Sequence, residues 1–60
     1  MDILKVHVEA IKHELDLVRL YASMAQMHAL MEEYDEALDY DQKSMACLQN
    51  ASHLIKKHLV

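Results

Sequence analysis

Sixty residues pass without a single glycine or proline. Those two residues normally end helices and form tight turns, because glycine enters left-handed backbone conformations freely and proline fixes φ and removes an N–H donor. Breaks in this chain must therefore come from weaker signals, and the sequence reads as wholly helical. Its length allows one domain at most, since a chain this short buries only roughly 60% of the surface it exposes when unfolded. Apolar residues make up 53% of it, yet only Tyr21, Tyr34 and Tyr40 are aromatic. The core must be built from Leu, Ile, Val, Met and Ala, which suits helices packed on helices. Domains of this size usually need a disulfide, a metal or a second chain. The lone Cys47 forms no internal disulfide, which leaves association or metal.

Spacing locates the helices. From Leu4, the apolar positions Leu4, Val8, Ile11, Leu15, Val18, Ala22, Ala25 and Ala29 recur at alternating intervals of four and three, the period of a helical seam. They predict a helix over about residues 2–31, with Asp2 as its N-cap, where a carboxylate accepts free backbone N–H groups. Leu17, Tyr21, Met24, Met27, Leu30 and Met31 surround the alanines of its second half, so that half is expected to be packed on several sides. Glu32-Glu33-Tyr34-Asp35-Glu36 interrupts the pattern with acids that suit the start of a following helix, and the turn is placed at about residues 32–35. Downstream, Ala37, Leu38, Asp41, Met45, Leu48, Ser52, Ile55 and Leu59 resume the spacing, predicting a second helix over about residues 35–59. Lys56 and Lys57 lie near its end, where cations favour the helix dipole. Gln49-Asn50-Ala51-Ser52 can ride on that helix or break it; we read it as continuous.

Charge and hydropathy narrow the partners. A formal net charge of −4 argues against binding a phosphate backbone, which calls for a basic stripe. No run of apolar residues is long enough to span a bilayer, since the most apolar stretch, Leu17 to Met31, carries Arg19 and Gln26. No signal peptide is expected, because Asp2 stands where a basic start would be. One unpaired cysteine beside five methionines fits a reducing compartment, the cytoplasm by default. Asn50-Ala51-Ser52 matches the glycosylation acceptor pattern, which is common by chance and matters only in a secreted chain, and we read it as coincidence.

Tyr21, Met24, Ala25 and His28, followed by Tyr34, Ala37, Tyr40, Lys43, Ser44 and Met45, form a pattern that resembles a tetratricopeptide repeat over Tyr21 to Leu48. Three positions depart from that family: Glu32 stands in place of the turn glycine, Asp41 in place of an aromatic residue, and Gln49 where a proline commonly closes the unit. The resemblance implies an antiparallel helical hairpin in which Tyr21, Met24, Ala25, His28, Tyr34, Ala37, Tyr40 and Ser44 pack the helices. The small residues would permit close approach and the tyrosines would fill the gaps. It also implies a peptide-binding face on the first helix, formed by Arg19, Ala22, Gln26, Ala29 and Leu30. A single repeat does not cover both of its faces, so the expected assembly is a homodimer that completes a four-helix bundle.

Chemistry is poorly provided for. Nucleophilic catalysis would need a histidine beside Cys47, and none lies one turn away. Glu9 with His13, and His28 with Glu32, stand four residues apart and share a helix face. Each pair offers only two ligands, and the Glu-x-x-His spacing of di-iron bundles is missing. The run Glu32 to Asp41 holds six acids and no base, which reads as a solvated face or an attraction for a basic partner. The expectation is a module that binds through helix–helix packing, its partner being itself, another helical protein or a peptide, with no catalytic residue, cofactor or metal. The alternative is a purely structural self-associating bundle, and a metal-binding bundle ranks third.

Overall fold

The computed structural model describes residues 2–60. Asp2 takes an extended conformation and its carboxylate accepts the Lys5 backbone N–H at 3.2 Å, satisfying one of the free donors at a helix start. From there α1 runs from Ile3 to Leu30 without a break. The second helix, α2, spans Tyr34 to His58 and passes through Gln49, Asn50, Ala51 and Ser52 uninterrupted. With Asp35 and Glu36 in its first turn and Lys56, Lys57 and His58 in its last, α2 carries charges of the favourable sign at both ends.

Between the helices the chain reverses over Met31, Glu32 and Glu33. Glu32 adopts a positive φ of 61°, the left-handed region that glycine ordinarily supplies at a helix C-terminus. Its N–H donates to the Ala29 carbonyl at 3.0 Å and the next N–H, of Glu33, donates to the His28 carbonyl at 2.9 Å. These two bonds are the Schellman closure, which uses the carbonyls left unpaired by the ending helix. In place of the hydrophobic contact that usually accompanies it, His28 Nδ1 lies 3.5 Å from a Glu33 carboxylate oxygen.

The two helices pack antiparallel along a single line. On α1 that line passes through His7, Ile11, Glu14, Val18, Tyr21, Ala25 and His28; on α2 it passes through Ala37, Tyr40, Ser44, Cys47, Ala51, Leu54 and His58. Both keep the alternating four-three spacing of knobs into holes. Ile11 and Ala51, 6% and 1% exposed, are its most covered apolar residues. Near the middle the Ser44 hydroxyl donates to the Val18 carbonyl at 2.9 Å.

This line differs from the one expected from apolar spacing. Leu4, Val8, Ala22 and Ala29 are exposed, and on α2 so are Leu38, Asp41, Met45, Leu48, Ser52 and Leu59. The reason lies in the small residues. Ala37, Ser44 and Ala51 recur every seven residues on α2 and let α1 approach closely, whereas a row of leucines and methionines would hold it off. Val18 meets Ser44 in that row, and beside it half-buried His7, Glu14, Tyr21 and His28 of α1 meet His58, Cys47 and Tyr40.

Candidate interaction surface

Along the helix–helix line, polar and aromatic side chains stand where a larger protein would place leucines. His7 and His58 stack at the open end of the hairpin, ring centroids 3.6 Å apart and planes 10° from parallel. Burial, and the nearby positive charges of His7, Lys57 and His53, hold the His58 pKa below 6.5. Near the turn, Tyr40 stacks on His28 at 5.2 Å and on Tyr21 at 6.1 Å. Lys43 lies 5.0 Å above the Tyr40 ring and 3.0 Å from the Asp39 carboxylate, whose hydrogen bond raises its pKa. Between these ends, Cys47 is half-buried across from Glu14. Burial first, and the adjacent carboxylate second, push the thiol above its usual range and keep it protonated at neutral pH.

Of the packing residues named from sequence, Tyr21, Met24, Ala25, His28, Ala37 and Tyr40 are half-buried and Ser44 is buried. Tyr34 is not among them: it opens α2 one residue beyond the turn, with 66% of its surface exposed. Arg19, Ala22, Gln26, Ala29 and Leu30 are all exposed along α1. His28 engages Glu33 rather than Glu32, and Glu9 and His13 are exposed. Among the described residues no three His, Cys, Asp or Glu side chains gather closely enough to hold a metal ion. Among the described residues no helix is long and apolar enough to cross a membrane.

The surplus of apolar side chains lies outside the contact line, at Leu4, Val8 and Leu30 of α1 and in two longer stripes. One follows α1 through Ile3, Val6, Leu17, Leu20, Met24, Met27 and Met31. The other follows α2 through Tyr34, Leu38, Met45, Leu48, Ile55 and Leu59. Met27 is 60% exposed and Met45 55%. Right-handed helices running antiparallel about a shared line put these stripes on opposite faces of the hairpin, because the α1 stripe precedes its contact line around the helix and the α2 stripe follows it. Sequence reasoning found the α2 row but placed it inside, and found the α1 residues only as a surplus around the alanines. Their own three-four spacing, from Ile3 to Met31, was the signal for a second stripe.

Comparison with family models, curated proteins and solved structures returned no match, so the likeness to a tetratricopeptide repeat rests on the residues of Tyr21 to Leu48 alone.

Proposed function

We propose that this chain is an interaction module that works by helix–helix packing, with self-association its first use, and that it performs no chemistry. The observation that carries this reading is the distribution of apolar surface. Leu20, Met27, Met31, Leu38, Met45 and Leu48 are each about half exposed or more, while the line joining the helices holds only Ile11, Val18 and Leu54 as large aliphatics among Ala, Ser, Cys, Glu, His and Tyr. Apolar stripes exposed on both faces mark interaction sites, and one layer of helices does not make a core. The packing of Tyr21, Ala25, His28, Ala37, Tyr40 and Ser44 supports a tetratricopeptide-like origin for the half of the hairpin next to the turn.

Sedimentation equilibrium from micromolar to millimolar concentration tests the reading: the mass is expected to exceed that of one chain and the melting temperature to rise with concentration. A monomer mass at every concentration overturns self-association.

A second reading is favoured by the exposure of Arg19, Ala22, Gln26, Ala29 and Leu30 along α1. There a helical or extended peptide would meet the Arg19 guanidinium and the Gln26 amide, with the alanines leaving room for it.

A further inference from the structure

We infer that the α2 stripe is a self-complementary seam on which a second copy of this chain packs antiparallel, α2 against α2, about a two-fold axis between Ala46 and Cys47. The inference rests on the self-association proposed above and adds the face, the direction and the register.

The α2 stripe reads nearly the same from both ends. Tyr34, Leu38, Asp41 and Met45 lead to its midpoint, and Leu59, Ile55, Ser52 and Leu48 lead back to it. Antiparallel pairing therefore sets Tyr34 against the partner's Leu59, Leu38 against the partner's Ile55, and Met45 against the partner's Leu48. The two polar positions also meet: the Ser52 hydroxyl of each chain falls opposite the other's Asp41 carboxylate, a donor facing an acceptor. A two-fold interface requires this self-complementarity, and the α1 stripe, with His13 interrupting it off-centre, lacks it.

The outer flank of the same stripe carries Asp35, Gln42, Gln49 and Lys56. In the same register Asp35 lies beside the partner's Lys56, Gln42 beside the partner's Gln49, and both charge pairs are opposite in sign. On its inner side the stripe adjoins Leu4, Val8, Leu15 and Ala22 of α1, and Lys5, Lys12 and Arg19 stand beyond that row, on the side away from α2. The self-complementary pairs all lie on α2, which places the two-fold axis there.

The surface of the chain is larger than its size requires. The chain exposes 4747 Å², whereas a compact monomer of its mass exposes ~4,000 Å² by the usual size scaling. The excess, roughly 700 Å², is near the ~800 Å² that each partner contributes to a standard interface.

Charge exchange tests the register. Asp35 and Lys56 are about 31 Å apart along one straight helix, too far to meet within a chain. Asp35→Lys alone sets lysine against lysine in the dimer, and Lys56→Asp alone sets aspartate against aspartate. Each is expected to weaken self-association roughly tenfold. Mixed in equal amounts, the two variants are expected to form a heterodimer with affinity near the wild type, because both pairs become opposite in sign again. Leu48→Glu is expected to abolish the dimer and Leu20→Glu, on the opposite face, to leave it intact, each variant checked for helix content by circular dichroism. A mixture no better associated than either variant alone overturns the inference, as does a dimer broken by Leu20→Glu and not by Leu48→Glu. In both of those cases self-association itself stands, whereas a wild-type chain that stays monomeric removes both.

Discussion

The Ser44 hydroxyl and the Val18 carbonyl, 26 residues apart in the chain, meet at 2.9 Å near the middle of both helices. Within α1 that carbonyl also faces the backbone N–H four residues on, so the serine uses its second lone pair. Removing the hydroxyl leaves no orphaned carbonyl. Ser44→Ala is expected to cost only about 0.5–1.5 kcal/mol of stability, measured by urea denaturation. A loss several times larger would show that Ser44 acts through more than this one bond.

Ala51 is the most covered residue on α2. Ala51→Leu is expected to destabilise the hairpin by about 1–3 kcal/mol through overpacking, because the added methylenes have to separate the helices. Ala25→Leu, at a half-buried position on α1, acts in the same direction and less strongly. Equal denaturation midpoints for wild type and Ala51→Leu would place α1 elsewhere.

Glu32 holds a conformation at φ 61° that costs an ordinary L-residue about 1–2 kcal/mol. Glycine removes that strain but loses more backbone entropy on folding, by about 0.5–1 kcal/mol. Glu32→Gly is therefore expected to stabilise the chain by roughly 0.5–1 kcal/mol, read as a rise in melting temperature. A fall would mean that the turn does not need the left-handed conformation.

His58 is stacked on His7 with its pKa depressed by burial and by the neighbouring positive charges of His7, Lys57 and His53. Unfolding restores the ordinary value of 6.5, so in the acid range the unfolded chain binds more protons and stability falls with falling pH. The stacked, neutral form contributes fully above pH 6.5 and is lost as the pH drops through the folded value. Melting temperature is expected to decrease on acidification from pH 7.5 to 5.0, and His58→Gln is expected to flatten that dependence. Parallel profiles for the two proteins would remove His58 from the account.

Arg19 and Gln26 are exposed on α1 and outside the helix–helix line. Arg19→Ala with Gln26→Ala is expected to leave stability within about 0.5 kcal/mol of the wild type and the dimer mass unchanged. If α1 binds a peptide on this face, capture of that peptide is lost at the same time. An altered oligomer would instead assign both residues to the self-association contact.

Much of the architecture is legible in the sequence. The three-four spacing announces two helices, and the acids around Tyr34 mark where one gives way to the other. The small residues Ala25, Ala37 and Ser44, with Tyr21, His28 and Tyr40, lie in the helix–helix line. What spacing does not give is the rotation of each helix. Counting apolar side chains favours the row through Leu4, Val8, Leu15 and Ala22, because histidine, glutamate and serine score as solvent residues. Their suitability for contact depends on what the other helix offers: His58 for His7, Tyr40 for His28, the Val18 carbonyl for Ser44. Such complementarity is a property of pairs and is invisible along one strand of residues.

The Cα atoms of the chain span 46 × 17 × 11 Å, a slab one helix thick. In such a body no side chain is more than its own length from water, and backbone amides in the middle of a helix are shielded by their hydrogen bonds rather than by depth. Hydrogen exchange should therefore proceed through fraying and separation of the two helices, fastest at the free end held by His7 and His58 and slowest where Ser44 reaches Val18. Evolution acting on a slab of this kind is constrained along a line, at positions such as Ile11, Val18, Ala37, Ser44 and Ala51, and the broad faces on either side are left for partners to shape.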